Sequence, residues 1–186
     1  MTCIVGIVEK GKVYIGGDSA GVRQDLQVQL RKDPKVFKID EFIFGFTSSF
    51  RMGQLLMKSL KPPKITAKDN KDLYKYMTTK FVDEVRKIFK AGGYMEVKAG
   101  VEVGGSFLVG LRGHLFIVHS DFQVAELRDS FAALGCGESY ALGAMYMILQ
   151  FPLGQKTPPI KKLEMALETA EKFSGGVRAP FSFVTT

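Results

Sequence analysis

The sequence predicts an α+β fold in which antiparallel sheets are covered on the outside by helices. The order of the elements is strands, two helices, strands, two helices and a final strand. Neighbouring strands are joined by short turns, such as Lys10-Gly11, and not by helical crossovers. Short turns join antiparallel strands, whereas parallel strands need a long crossover. The pattern therefore favours a layered sandwich over a parallel α/β fold.

The composition predicts one domain over residues 1–186. With 46% hydrophobic and 24% charged residues, a chain of 186 residues is long enough to bury a sizeable core. No apolar run reaches the roughly 18 residues that a membrane helix needs, and the first residues lack the basic segment of a signal peptide. We therefore expect a cytoplasmic protein without a membrane partner.

The cysteines and histidines do not indicate a metal centre. Cys3 and Cys136 are too few for a disulfide framework and show no metal-ligand spacing. His114 and His119 lie at opposite ends of one predicted strand, which favours structural positions. We expect reduced thiols, no metal and no cofactor.

The first half of the chain is predicted to form two β-hairpins followed by a helix. Ile4, Val5 and Ile7 are β-branched and lack helical spacing, which is typical of a strand. Turns are predicted at Lys10-Gly11 and Asp40-Glu41. The predicted elements are strands 3–9, 12–18, 35–39 and 42–46, an irregular polar loop 19–33, and a helix that begins at Ser48 or Ser49 and stops at Pro62-Pro63.

The net charge of +7 comes largely from a lysine-rich section between Lys58 and Lys90. Apolar residues are interleaved with these lysines at helical spacing, which predicts an amphipathic helix from Asp69 to Lys90, closed by Gly92-Gly93. A solvated helix face explains the charge better than a nucleic-acid surface, because the chain has no RNA-binding aromatic signature and no zinc-finger pattern. We expect no nucleic-acid partner.

The second half of the chain predicts more strands, two helices and a closing strand. A tight turn at Arg112-Gly113 joins two of the strands. The predicted elements are a glycine-rich mobile loop 94–105, strands 106–111, 113–120, 124–127 and 131–134, helices 138–151 and 159–173, and a strand 177–184.

A candidate nucleophile stands at the start of the first strand. Removal of Met1 would place the Thr2 hydroxyl beside a free α-amine, whose pKa near 8 lets it act as a base. Such a site also needs a cation and a carboxylate to hold that cation. Lys35 and Asp18 are candidates, because neighbouring strands could bring both to the start of strand one. Taken alone, Met-Thr is more simply the start of a strand.

Several motifs, in register along the chain, resemble the proteasome β-subunit family of N-terminal-nucleophile (Ntn) hydrolases, to which the bacterial HslV peptidases belong. The resemblance implies two antiparallel sheets between helix layers, the four-layer αββα sandwich, and the opening Met-Thr without a propeptide is similar to HslV. The motifs are 2–6 (Thr-Cys-Ile-Val-Gly), 16–18 (Gly-Gly-Asp), 35–39 (Lys-Val-Phe-Lys-Ile), 135–143 (Gly-Cys-Gly-Glu-Ser-Tyr-Ala-Leu-Gly) and 173–176 (Phe-Ser-Gly-Gly).

The resemblance also implies which residues form the site. Thr2 is the implied nucleophile with its own amine as base, and the oxyanion would be bound by a backbone N–H in residues 47–49. Cys136 takes the place of a serine that relays protons, and Glu171 takes the place of an aspartate. The implied site residues are Thr2, Asp18, Lys35, Ser48, Cys136, Glu171 and Ser174.

The implied activity is a threonine peptidase that cleaves proteins and peptides inside stacked homo-oligomeric rings. The resemblance allows for an AAA+ unfoldase ATPase as a partner of the ring. Two alternatives stay open. One is a catalytically silent ring or scaffold subunit. The other is an Ntn amidohydrolase that uses Cys3, which would require the loss of Thr2 as well.

Two further expectations concern surfaces. If the family's pocket positions carry over, Phe37, Phe46 and Phe50 line the pocket for the residue before the cut and favour small or medium apolar side chains. The apolar helix Tyr140–Phe151, which contains Met145, Met147 and Ile148, is a candidate surface between subunits, with core packing as the alternative.

Overall fold

A computed structural model describes residues 1–23 and 27–186 of the chain, and part of the predicted loop 19–33 therefore lies outside the described residues. The strands are β1 (Cys3–Glu9), β2 (Lys12–Gly17), β3 (Ala20–Val22), β4 (Val28–Leu30), β5 (Val36–Ile39), β6 (Phe42–Phe46), β7 (Glu96–Lys98), β8 (Val101–Val103), β9 (Phe107–Leu111), β10 (His114–Val118), β11 (Val124–Glu126), β12 (Phe131–Gly135) and β13 (Ser182–Thr185).

The helices lie in two groups, one between β6 and β7 and one between β12 and β13. They are α1 (Phe50–Ser59), α2 (Ala67–Asn70), α3 (Leu73–Tyr76), a π-helical turn (Met77–Phe81), α4 (Val82–Ala91), α5 (Glu138–Gln150), α6 (Pro152–Lys156) and α7 (Pro159–Phe173). Within the described ranges, no helix is both long enough and apolar enough to cross a membrane.

Two antiparallel sheets form the centre of the fold. The first sheet has the strand order β12-β1-β2-β13, and the second has the order β11-β10-β9-β6-β5. Two small hairpins, β3-β4 and β7-β8, lie outside these sheets. The predicted α+β class and antiparallel arrangement are confirmed. The turns at Lys10-Gly11 and Arg112-Gly113 both adopt positive φ, as two-residue hairpin turns require.

Alternation along β1 explains the four layers. Val5 and Ile7 face helices α5 and α7, whereas Ile4 faces the second sheet. All three are fully or nearly fully buried, and each such side chain stabilises the fold by about 1.5–3 kcal/mol. The second sheet packs its other face, which carries Phe44 and Phe107, against α1 and the helical segment 73–91. The order of layers is therefore helix, sheet, sheet, helix.

The predicted helix from Asp69 to Lys90 is divided in the structure. Thr66 and Asp69 form a capping box that starts α2 early, and the Asp72 side chain accepts the Lys75 N–H at 2.9 Å and starts a second helix at Leu73. Two capping residues close together in sequence thus replace one long helix by two. The predicted first helix is confirmed, since Ser49 caps α1 through the Arg51 N–H.

Three other expectations need correction. The segment 94–105, predicted as a mobile loop, contains the β7-β8 hairpin, which turns at Ala99 and Gly100 with positive φ. The polar loop 19–33 contains the β3-β4 hairpin. The final strand begins at Ser182 and not at 177, because the Arg178 N–H is used by Asp18 and Pro180 has no N–H to donate.

Candidate active site

Thr2 lies directly before β1, which runs between β2 and β12 in the first sheet. Thr2 is 5% exposed, and its hydroxyl donates to the Met1 carbonyl oxygen at 2.5 Å. The backbone of β12 is close, because a Cβ at Gly135 would lie 2.2 Å from the Thr2 carbonyl oxygen. Gly135 also has φ of 100°, so only glycine fits there. The start of the chain is held in place by this packing.

Asp18 and Lys35 form a buried ion pair beside the start of β1. The Lys35 Nζ lies 2.8 Å from Asp18 Oδ1, and the two side chains are 1% and 0% exposed. Both lie at the start of β1, as expected, and Asp18 follows β2, which is a neighbour of β1 in the first sheet. The expectation of a neighbouring strand was wrong for Lys35, which precedes β5 in the second sheet. Lys35 instead reaches across the interface between the sheets.

Asp18 is held by three backbone N–H groups in addition to Lys35. Its Oδ1 accepts from Cys3 at 2.9 Å, and its Oδ2 accepts from Ala20 at 2.9 Å and from Arg178 at 3.3 Å. Hydrogen bonds to an ionised carboxylate are stronger than those between neutral groups. The carboxylate is therefore fixed, and it fixes the position of the lysine.

Burial lowers the pKa of Lys35 below its usual value of 10.5, and the charge and hydrogen bond of Asp18 partly offset this. The Lys35 Nζ lies 3.5 Å from the Met1 carbonyl oxygen, which also accepts the Thr2 hydroxyl. The Lys35 side-chain nitrogen thus lies next to the atoms around Thr2.

A chain of polar atoms leads from the Thr2 nitrogen to the end of α7. The Thr2 nitrogen lies 3.3 Å from the Cys136 Sγ, and the Ser174 hydroxyl lies 3.3 Å from the same sulfur. The sulfur also lies 3.4 Å from the Thr2 carbonyl oxygen. The structure therefore places Thr2, Cys136 and Ser174 in one cluster with Asp18 and Lys35.

Cys3 lies in a different environment from Cys136. Its side chain is fully buried in the cluster between the first sheet and α7. Burial raises the pKa of the Cys3 thiol, and the negative charge of Asp18 adds to this. A thiol buried in apolar surroundings is inert, because a substrate does not reach it. This setting does not support the alternative that uses Cys3.

The pocket beside Thr2 lies at the N-terminal end of α1. It is lined by Met1, Thr2, Val22 and the segment 46–50. Phe46 and Phe50 thus line the pocket, as the sequence analysis expected. Phe37 does not, because β5 directs it to the helix-covered side, where its ring stacks on Phe44 at a centroid distance of 5.0 Å.

Ser48 lies in this pocket with an unusual backbone. Its φ is 67°, a left-handed conformation that is uncommon for residues other than glycine. Its hydroxyl accepts the Ser106 N–H at 3.1 Å, and this contact ties the segment to the start of β9. Residues 47–49 lead directly into the N-terminus of α1, where backbone N–H groups favour an anion.

Glu171 does not join the cluster directly. It lies in the last turn of α7, and its Oε1 accepts the Ala179 N–H at 3.0 Å. The neighbouring residue Arg178 supplies the N–H that binds Asp18. Glu171 therefore orders the segment that positions the carboxylate of the ion pair.

Sequence reasoning did not identify Arg178 or Val22 as parts of the site. Arg178 contributes its backbone N–H, which any residue other than proline carries. The residue type therefore does not indicate a role in the site. Val22 lines the pocket from β3, in a segment that was predicted to be irregular. Within residues 1–23 and 27–186, no three His, Cys, Asp or Glu side chains form a group that could hold a metal ion.

Comparisons of sequence identified no matching family model and no matching curated protein. Comparison of structure gave clear matches over the whole chain. The BPH protein of Thiobacillus denitrificans, solved in complex with epoxomicin, matches with a TM-score of 0.74 and 17% identity, covering 100% of this chain and 98% of that one.

Two other solved structures also match over nearly the whole chain. The eukaryotic HslV of Trypanosoma brucei has a TM-score of 0.72 and 17% identity, with 99% of this chain and 98% of that chain covered. The Anbu (Gly-1) mutant of Hyphomicrobium sp. strain MC1 has a TM-score of 0.64 and 14% identity, with 100% and 82% covered. At these identities the likeness establishes the fold, and it confirms the fold that the motifs predicted.

Proposed function

We propose that this chain, which has the fold of the proteasome-like Ntn hydrolases, is a peptidase that uses Thr2 as its nucleophile after Met1 is removed. One observation carries the proposal. The Thr2 nitrogen and hydroxyl lie between a buried Lys35–Asp18 pair and a polar path through Cys136 and Ser174. These are the parts that a hydroxyl nucleophile with an amine base requires.

The mechanism follows from these contacts. With Met1 removed, the Thr2 nitrogen becomes an α-amine that takes the proton from the Thr2 hydroxyl as the oxygen attacks the amide carbonyl. The charge of Lys35 lowers the pKa of this amine and keeps more of it in the neutral form. Asp18 holds the lysine in place. The amine then gives its proton to the departing nitrogen of the substrate, which leaves an ester on Thr2.

Water then releases the product from the ester through the same order of proton transfers. Water attacks the ester, the α-amine accepts its proton, and the proton passes to the Thr2 oxygen as the ester bond breaks. The backbone N–H of Ser48, next to the N-terminus of α1, would bind the oxyanion in both steps, because the N–H groups of Thr47 and Ser49 already donate to the carbonyl oxygens of Ser106 and Thr47. Cys136 and Ser174 form a path along which protons of the amine can exchange with solvent.

The proposal includes assembly into rings. The outer face of α5 and α7 exposes several large apolar side chains, among them Tyr146, Met147, Phe151 and Ile160, whereas Met145 is buried in the core. Exposed apolar patches of this kind mark surfaces that bind other proteins. Light scattering on processed protein should show a mass of many 20.6 kDa subunits. A strict monomer that still cleaves peptides would contradict assembly. An AAA+ ATPase is the partner that the family resemblance implies.

Two experiments test the proposal: substitution of Thr2 and mass spectrometry of the N-terminus. Thr2→Ala should abolish hydrolysis of fluorogenic peptides, and Thr2→Ser should keep part of it because the hydroxyl and the amine remain. Thr78→Ala, which removes the same atoms from an exposed helix position, is the matched control and should keep full activity.

N-terminal mass spectrometry separates the alternatives. A mature chain that begins at Thr2 supports the proposal. Retained Met1 leaves the Thr2 nitrogen as an amide without basicity, which would favour a catalytically silent subunit. A chain that begins at Cys3 would favour the amidohydrolase.

A further inference from the structure

We infer that Arg31 is a positioning residue that fixes the width of the pocket beside Thr2 by bracing Phe50, an inference that rests on the proposed function. The residue before the scissile bond would enter this pocket. Arg31 lies outside the pocket wall, but through Phe50 it would determine which substrate side chains the pocket accepts.

Phe50 and Phe46 form the apolar wall of the pocket. Their rings meet edge to face with a centroid distance of 5.8 Å and an interplanar angle of 84°. Phe46 is buried in the core, whereas Phe50 is only partly buried at the first position of α1. Phe46 is thus held by the core, and Phe50 needs another support to stay in place.

Arg31 provides this support. Its guanidinium carbon lies over the Phe50 ring, 3.9 Å from the ring centre, at the distance of a cation–π contact. Since Arg31 directly follows β4, the contact connects Phe50 with the β3-β4 pair of strands. A ring that contacts both Phe46 and the guanidinium has less freedom to swing away from the pocket.

The guanidinium is itself held in two ways. Its Nε and Nη2 donate to the two oxygens of Asp33 at 2.8 and 2.7 Å, a bidentate pair with fixed geometry. The Arg31 backbone N–H donates to the Ser19 carbonyl at 3.0 Å. The hydrogen bond to Arg31 lowers the pKa of Asp33, so the pair stays ionised near neutral pH.

Arg31 also contacts the opposite wall. A Cβ at Gly21 would lie 2.8 Å from the Arg31 Cδ, so the stem of the arginine crosses the hairpin where a glycine leaves room. The next residue, Val22, lines the pocket. A single side chain therefore connects the strand that carries Val22 with the helix end that carries Phe50.

This arrangement has a consequence for substrates. With both walls tied together, the pocket keeps a fixed width and accepts small or medium apolar side chains better than large aromatic ones. Because Asp33 neutralises the guanidinium, Arg31 does not offer an unpaired charge to an acidic side chain. Loss of Arg31 should let Phe50 move and should widen the range of accepted residues.

The experiment compares kcat/KM for two peptide series that carry either Val or Phe before the cut. In Arg31→Ala, the Phe-to-Val ratio should rise about threefold, the size expected for loss of one exposed cation–π contact. The change should come mainly from KM for the Phe peptide, and labelling of Thr2 by an epoxyketone should keep its wild-type rate. Arg31→Lys keeps a cation near the ring and should restore part of the wild-type ratio.

Arg51→Ala is the matched control. Arg51 is also exposed, and its guanidinium binds the Gly92 carbonyl at 3.1 Å, so its removal should leave the ratio unchanged. Phe50→Ala should raise the ratio further, and the double variant with Arg31→Ala should equal Phe50→Ala alone, since Arg31 acts through Phe50.

The outcomes distinguish a failure of the role of Arg31 from a failure of the proposed peptidase function. An unchanged ratio in an active Arg31→Ala protein, or additive effects in the double variant, would overturn the role of Arg31 and leave the peptidase intact. A wild-type chain that hydrolyses neither series and takes no label would overturn the proposed function, and the role of Arg31 with it.

Discussion

Two buried lysine–carboxylate pairs lie at the two ends of strand β1, and their surroundings differ. Lys35 is 1% exposed and binds Asp18 at 2.8 Å near Cys3, where β1 begins. Lys162, on α7, is 2% exposed and binds Glu9 at 2.5 Å, where β1 ends. The same two charges thus meet at similar distances in both places.

The carboxylates show the difference between the pairs. Asp18 is fully buried and takes three backbone N–H bonds as well, whereas the Glu9 side chain is 23% exposed. Lys35 reaches the atoms around Thr2, and Lys162 lies at the other end of the strand. A buried ion pair by itself therefore indicates neither catalytic activity nor a stabilising effect. Its contribution to either depends on the groups that surround it.

The largest expected difference is in activity. Lys35→Met should lower kcat/KM for fluorogenic peptides by at least about 100-fold, because the α-amine loses the cation that keeps it neutral. Lys162→Met, which makes the same change in a matched setting, should keep kcat/KM within about twofold. Equal losses in the two variants would show that the pairs act only through stability.

The second expected difference is in the free energy of unfolding. Lys35→Met leaves the fully buried Asp18 carboxylate without its cation and should cost about 3 kcal/mol. Lys162→Met leaves Glu9, which can still reach water, and should cost about 1 kcal/mol or less. Urea unfolding of both variants at pH 7 measures this, and a larger loss for Lys162→Met would reverse the comparison.

A smaller effect is expected at Cys136, which contacts the Thr2 nitrogen and Ser174. Cys136→Ala removes the proton path but leaves the nucleophile, the amine and Lys35, so kcat should fall by about tenfold. Cys136→Ser keeps a polar hydrogen atom there and should recover most of the rate. A loss as large as that of Lys35→Met would mean that the thiol takes part in the chemical step itself.

The smallest expected effect is on the pH dependence. Burial lowers the pKa of Lys35 below 10.5 in the folded chain. Between that lowered pKa and 10.5, the unfolded chain binds a proton that the folded chain does not, so the contribution of Lys35 to stability rises with pH. Activity should fall over the same range as Lys35 loses its charge. An alkaline limb of kcat/KM at or above 10.5 would contradict a lowered pKa.

Local features were predictable from the sequence, and contacts between distant segments were not. The hairpin at Lys10-Gly11 and the helix 159–173 depend on nearby residues, and both lie where they were expected. The resemblance placed Cys136 and Ser174 in the site, but their 3.3 Å contact joins two separate elements. The path of Lys35 across the interface between the sheets depends on how whole sheets pack, which strand patterns do not show.

Phe37 and Glu171 show why the rest could not be predicted. Phe37 follows Lys35 by two positions and was expected to share the pocket, yet the packing of α1 on β5 takes it into the core. Glu171 takes the place of a site aspartate in the family resemblance, and its bond to the Ala179 N–H depends on the path of the segment after α7. Local spacing shows which residues of a strand share a face. It does not show what that face packs against, or which path a loop takes.

The most direct measurement is the site at which an epoxyketone labels the chain, read by peptide mass spectrometry on protein whose N-terminus has been established. Wild-type protein should begin at Thr2 and carry one adduct on that residue, Thr2→Ala should carry none, and Lys162→Met should be labelled at the wild-type rate. An adduct on Cys3 or Cys136, or no adduct on a chain that begins at Thr2, would contradict the threonine mechanism.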